Sequence, residues 1–262
     1  MELTLEEIKR AAKREDFRAG VQMRILMPRL SVRVTRWVVA HTRIAPNQIT
    51  LVSLAVGLSA VAAFASTNPF VVLAGLLAYH VHVLLDYVDG EVARCRNQTS
   101  VQGAYFDLIT DRITFPLLIF CSGIAVWRQL GSPVHLLVAF VATFGLLLDK
   151  FVVDCWYRAN SGATETEVED RYVAAPEAPS AARRWRSRMA LLAVMVRGLT
   201  AFLTYTTVAA FLDAHFGNPF GGALSHRALV LWAFAPLMPL GAIARFAYVF
   251  RRGAIPRRQQ LL

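Results

Sequence analysis

Long apolar stretches alternate with short polar breaks along most of the chain. A helix that crosses a bilayer needs about 20 mostly apolar residues. Six segments reach that length, at approximately 46–66, 69–88, 102–127, 133–156, 189–212 and 228–250. The breaks carry turn-forming or polar residues: Asn68-Pro69, the run Arg94 to Thr99, Gly131-Ser132-Pro133, a long polar stretch, and Gly217-Asn218-Pro219. The period-two alternation of a lipid-facing barrel is absent. Because lipid leaves every backbone polar group to be satisfied within its own segment, all six segments are expected to be helical. The expected fold class is an all-α integral membrane protein with six transmembrane helices.

Ahead of the first span, residues 29–41 interleave Leu30, Val34, Trp37 and Val38 with Arg29, Arg33 and Arg36. This pattern predicts an N-terminal amphipathic helix lying in the membrane interface. A second, weaker helix is expected over 3–18. The chain then divides into basic cytoplasmic and interfacial helices over 1–45, a six-helix domain over 46–250, and a basic cytoplasmic tail over 251–262. The loop at about 157–188 is expected to be flexible, since Ser161 to Ala182 is rich in Ala, Glu, Pro and Thr. There is no defensible internal repeat. No cleavable signal peptide is expected, because Arg24, Arg29, Arg33 and Arg36 interrupt the first apolar stretch.

Composition supports the membrane reading. Of 262 residues, 56% are hydrophobic, and only 18% are charged. Globular chains usually have roughly 45–50% apolar and about 25% charged residues. The mean hydropathy is +0.44. Disorder, coiled coil and collagen-like repeats are excluded on these grounds. Three scattered cysteines, Cys95, Cys121 and Cys155, make neither a disulfide scaffold nor a zinc cluster.

Charge fixes an expected orientation. With the N-terminus inside, residues 1–45, 89–101, 157–188 and the tail hold 22 of the 28 Lys and Arg residues on one side. The opposite side has only Arg128 and Arg227, while Arg112, Lys150, Arg197 and Arg245 fall within spans. The positive-inside rule puts both termini in the cytoplasm. The net charge of +10 needs no nucleic acid partner, because basic faces next to anionic membrane lipids account for it.

The carboxylates within the spans are not scattered. Asp86 and Asp89 close the second span at i,i+3, and Asp107 and Asp111 lie in the third at i,i+4. Both pairs fall toward the cytoplasmic ends of consecutive antiparallel helices. Counting from residue 102, Asp111 lies roughly 14 Å along its helix at 1.5 Å per residue. Ionisable groups in spans are costly and usually functional. Four converging carboxylates repel and become protonated unless cations join them. Hard Mg²⁺ or Mn²⁺ suits such oxygens and the neutralisation of phosphates. Between the pairs, Gly90, Ala93 and Gly103 leave room for a ligand or a close backbone, and Arg94 offers a fork of donors to a phosphate.

The pattern D-x2-D-G-x2-A-R-x8-G-x3-D-x3-D, complete from Asp86 to Asp111, resembles the signature of the CDP-alcohol phosphotransferase family. All eight fixed positions are filled across 26 residues. The family's six-helix body with a preceding interfacial helix is similar to the chain from about 29 to 250. The Ala45 to Thr50 stretch resembles a family element near the CDP pocket. The resemblance implies two divalent cations, Mg²⁺ or Mn²⁺, held by Asp86, Asp89 and Asp107, with Asp111 sharing one. It also implies that Asp111 is the base for the acceptor hydroxyl. Gly90, Arg94 and Ser100 are implied to bind the CDP part, beside Gly103, with Asn47, Gln48 and Thr50 lining the same pocket. The implied reaction is attack of an acceptor oxygen on the phosphorus that carries the lipid, with CMP leaving. The expected donor is a CDP-activated lipid, CDP-diacylglycerol, with another CDP-alcohol left open by the sequence, and relatives are often homodimers.

The signature does not name the acceptor. Lys150, Arg197 and Arg245 lie in spans four, five and six near the cytoplasmic end. They are expected to bind the phosphate of a phosphorylated polyol, inositol phosphate or glycerol phosphate; snorkelling to the interface is the competing explanation. Serine, choline or another unphosphorylated acceptor is the alternative. Asp149 and Asp154 are open to acceptor hydroxyls or to a neighbouring cation. His80 and His82, at i,i+2, face different sides of their helix. His41, His135, His215 and His226 are read as interfacial. The rival from another class is a cation transporter with the four aspartates along a path. It is disfavoured by the missing repeat and by the clustering of the aspartates near one face.

Overall fold

The computed structural model describes residues 27–159, 199–217 and 224–252. Among the described residues there are seven helices and no strand: α1 Met27–His41, α2 Pro46–Ala63, α3 Pro69–Cys95, α4 Val101–Leu130, α5 Val134–Ala159, α6 Leu199–Phe216 and α7 His226–Arg252. Five of them, α2 to α5 and α7, are long and apolar enough to cross a membrane. α6 is the described part of the segment expected at 189–212. The weak helix over 3–18, most of the 157–188 loop, Arg197 and the end of the tail lie outside the described residues.

Local chemistry explains where the helices start and stop. Pro46 and Pro69 occupy first-turn positions, where a missing N–H costs nothing. The side chain of Gln48 accepts from the Ala45 amide at 2.9 Å, and Asn68 accepts from the amide of Phe70 at 2.9 Å. Ser100 caps α4 by accepting from the Gly103 amide at 3.0 Å. α4 ends at Gly131, whose φ of +72° suits a residue without Cβ. α3 runs to Cys95, beyond the boundary at 88 expected from hydropathy. Apolarity ends at the first carboxylates, but backbone hydrogen bonding does not. The chain turns only near Asn97, which takes a φ of 55° that asparagine tolerates. The whole Asp86 to Arg94 segment is therefore rigid helix, and the loop expected over 89–101 shrinks to the residues between α3 and α4.

The six long helices pack as a closed ring in the order α2, α3, α6, α7, α5, α4 and back to α2. The interior is apolar, with Phe64, Val72, Leu118, Phe202, Leu231 and Met238 among its buried residues. Small residues set the closest crossings. A Cβ on Gly123 falls 2.2 Å from the Ala139 Cβ, and one on Gly145 falls 2.4 Å from the Pro239 ring. At the end of the ring away from the aspartates, Asp213 accepts from the amides of His226 and Arg227 and pairs with the His226 ring at 2.8 Å. Arg227 donates to the carbonyls of Phe64 and Ser66. His135 is buried beside Trp232, whose indole N–H it accepts at 3.3 Å. His135 and His226 are thus held within the fold rather than simply interfacial.

α1 packs along α3. The residues it buries are Met27, Ser31, Thr35 and Val38, while Arg29, Arg33 and Arg36 are exposed and Trp37 is 59% exposed. Its inner face is therefore mixed: Ser31 and Thr35 lie between Met27 and Val38, with Val34 packed against the Val38 cluster.

Candidate active site

The end of α3 and the start of α4 bring the signature residues together. Single ligand oxygens of Asp86, Asp89 and Asp107 all lie within 4.8 Å of one another, a grouping that can hold a metal ion. The charges of Asp89, Asp107 and Asp111 all act on Asp86. Oδ1 of Asp86 and Oδ1 of Asp107 are buried and accept no hydrogen bond among the described residues. A buried acceptor left without a partner is costly, and a bound cation satisfies both oxygens at once. The residues present therefore fit a divalent ion. Asp111 sits one turn further along α4 from Asp107 and is exposed.

Asp89 is oriented by α2. The hydroxyl of Thr50 lies 2.6 Å from Asp89 Oδ2 and 3.2 Å from the Pro46 carbonyl, and the shorter contact takes its single proton. Thr50, expected to line a nucleotide pocket, thus acts on a candidate metal ligand. Gln48 is engaged in capping α2. Asn47 and the start of α4 do meet: a Cβ on Gly103 lies 3.2 Å from both Asn47 Oδ1 and Ser100 Oγ. A Cβ on Gly90 lies 3.3 Å from the Arg94 guanidinium. Gly90 and Gly103 therefore let Arg94, and Asn47 with Ser100, approach the helix backbone closely.

Beneath the aspartates is a polar network that sequence reasoning missed. His82 Nδ1 lies 2.8 Å from Ser53 Oγ. Thr114 Oγ1 lies 3.5 Å from His82 Nε2 and accepts from Tyr79 Oη at 3.3 Å. These groups fill the space between α2, α3 and α4 just inside the carboxylates. His80 points elsewhere and contacts the Leu76 carbonyl. The two histidines face apart, as their spacing requires.

The basic residues form a second group nearby. Arg245 on α7 donates to Asp149 at 2.9 Å, and Arg112 on α4 donates to Asp154 at 2.9 Å. Both acidic residues are thus committed to arginines. Lys150 takes part in none of the ion pairs among the described residues. The charges of Arg112, Asp111, Arg245 and Asp149 all act on it. The structure therefore joins Lys150 and Arg245, adds Arg112 to them, and sets the group beside Asp111.

Fold and site together define a helical transferase for phospho-alcohol groups. The chain belongs to the CDP-alcohol phosphatidyltransferase family, whose model matches residues 43–250. It is an enzyme of that type. Among similar proteins is the bifunctional IPC transferase and DIPP synthase of Thermococcus kodakarensis, 33% identical over 155 residues that cover 56% of this chain and 34% of the relative. The protein of the same name from Archaeoglobus fulgidus is 36% identical over 144 residues, covering 55% of this chain and 26% of the relative. The chain thus spans about a third or less of these curated relatives.

Proposed function

We propose that the protein transfers the phosphatidyl group of CDP-diacylglycerol to a hydroxyl of a phosphorylated polyol, inositol phosphate or glycerol phosphate, and releases CMP. The observation that carries this reading is the meeting of Asp86, Asp89 and Asp107 within 4.8 Å. Arg94 and the Asn47–Ser100–Gly103 contact flank that cluster, and the Lys150 group lies on its Asp111 side. The names of the two relatives, a transferase and a synthase, fit phospho-alcohol transfer.

Asp86, Asp89 and Asp107, with Asp111 sharing, hold two Mg²⁺ or Mn²⁺ ions. When bound, these ions neutralise the diphosphate and the charge that builds on the departing phosphate. Arg94 forks onto a donor phosphate. Asn47, Gln48 and Ser100 line the nucleotide space, and Gly90 and Gly103 keep it open. The acceptor oxygen bonds to the lipid-bearing phosphorus as the bond to the CMP oxygen breaks. The acceptor's proton passes to the Asp111 carboxylate. Lys150, Arg245 and Arg197 hold the acceptor's own phosphate.

In this reading α2 to α7 are six membrane spans, α1 lies in the interface, and both termini and the site face the cytoplasm. A lipid donor then enters from the side and a soluble acceptor from the cytosol. The working form is a homodimer.

The test is CMP release by purified protein with CDP-diacylglycerol, Mg²⁺ and a panel of acceptors. Release is expected with inositol phosphate or glycerol phosphate and not with the free polyols. Good turnover of serine or choline, with phosphorylated polyols ignored, overturns the acceptor. No release with any acceptor overturns the donor.

A further inference from the structure

The proposed reaction leaves one buried carboxylate in the signature without a task. Glu91 follows Gly90 on α3 and is 1% exposed. Its two oxygens accept separately, Oε1 from Ser31 Oγ and Oε2 from Thr35 Oγ1, each at 2.6 Å. Both hydroxyls belong to α1 and are fully buried. Residues at i and i+4 share one helix face a turn apart. A carboxylate that spans both therefore fixes the rotation of α1 about its axis and its register along α3. An apolar residue of similar volume packs such an interface without the desolvation cost of a buried charge. The carboxylate thus adds register rather than adhesion.

A second tie sits one turn further along. The Arg96 guanidinium donates to the carbonyls of Val38, Thr42 and Ile44. These belong to the last turn of α1 and the turn after it, and the Val38 carbonyl accepts from the Thr42 amide and hydroxyl as well. The same turn runs straight into Pro46, Asn47 and Thr50. Thr50 bonds Asp89, and Asn47 meets Gly103. Both ties therefore start in the signature segment and hold the stretch that forms the opposite wall of its pocket.

We infer that Glu91 and Arg96 are positioning residues: they fasten α1 and the turn after it so that Asn47 and Thr50 meet the CDP end of the donor. This rests on the reading of the site as a CDP pocket. Neither residue touches the reacting atoms.

The experiment compares Glu91→Gln, the pair Ser31→Ala with Thr35→Val, Arg96→Lys, and the wild type. It measures CMP release kinetics and, separately, CDP binding by calorimetry with Mg²⁺. Glu91→Gln keeps the shape of the side chain, and the Ser31/Thr35 pair cuts the same link from the other helix. Each is expected to raise the donor KM and the CDP Kd about tenfold, the equivalent of ~1.4 kcal/mol, with kcat and acceptor KM held within about twofold. Combining them should add little more, because they break one interaction. Arg96→Lys should also weaken CDP binding, since an ammonium cannot span three carbonyls as a planar fork does. Unchanged donor KM and CDP Kd in folded variants overturns the inference. So does a parallel loss in kcat and both KM values with a lowered thermal midpoint, which marks general structural support. Failure of the underlying reading looks different: the wild type itself neither releases CMP nor binds CDP.

Discussion

Replacing Thr50 by Val is predicted to weaken the metal site without altering a ligand. Valine has nearly the shape of threonine but cannot donate. The bond it removes runs from Thr50 Oγ1 to Asp89 Oδ2 at 2.6 Å, between two buried side chains. A hydrogen bond to a charged group contributes about 1.5–3 kcal/mol. At ~1.4 kcal/mol per factor of ten, its loss corresponds to roughly 10- to 100-fold. The same range holds for partners that orient metal-binding side chains. The assay is CMP release against Mg²⁺ concentration. The half-saturating Mg²⁺ concentration should rise by about 10- to 100-fold, and saturating Mg²⁺ should restore most of the rate. Thr50→Ser keeps the hydroxyl and should stay near wild type. An unchanged Mg²⁺ requirement in Thr50→Val refutes the reasoning. A rise confined to the donor KM does so too, and returns Thr50 to the nucleotide wall.

The other predictions concern separate parts of the molecule. Asp111→Asn should bind CDP normally yet turn over at least ~100-fold more slowly, the lower range for loss of a general base; single-turnover CMP release checks it, and near-normal turnover assigns the base elsewhere. Lys150→Ala should raise the acceptor KM about tenfold and leave the donor KM unchanged, because Lys150 neighbours Asp111 and has no ion-pair partner among the described residues. Gly145→Val should destabilise the fold by about 1–3 kcal/mol or more, since its Cβ falls 2.4 Å from the nitrogen and Cδ of Pro239, which cannot yield as a flexible side chain does. A thermal midpoint in detergent equal to wild type contradicts that last prediction.

The helices were legible because lipid allows few alternatives, and the acidic cluster because i,i+3 and i,i+4 spacing puts carboxylates on one helix face. Helix ends were less legible. Hydropathy stops at Asp86 and Asp89, whereas the α3 backbone continues to Cys95. What joins elements was hidden. Thr50 lies 39 residues from Asp89, and Ser31 and Thr35 lie 60 and 56 residues from Glu91. No spacing rule reaches across such distances. Glu91 fills a free position of the signature, so the motif gave no reason to notice it. The contacts of α1 were hidden for a related reason: patterning picked out its apolar residues, but not the two hydroxyls, Ser31 and Thr35, that meet the buried Glu91 carboxylate. Arg227 and His135 look in the sequence like polar residues at span ends, and only the packed ring shows the carbonyls and the indole that hold them.

The central claim is that the signature aspartates form a divalent-metal site, and it is tested most directly by titrating the purified protein with Mn²⁺ and counting bound ions by electron paramagnetic resonance. This measurement needs no knowledge of the acceptor. The wild type should bind up to two ions saturably, more tightly when CDP is present, with Mg²⁺ competing. Asp86→Asn and Asp107→Asn should each abolish or strongly weaken that binding, because each removes the charge of a carboxylate whose buried Oδ1 has no hydrogen-bond partner among the described residues. Saturable Mn²⁺ binding that is the same in wild type and both variants, or none in the wild type, contradicts the account.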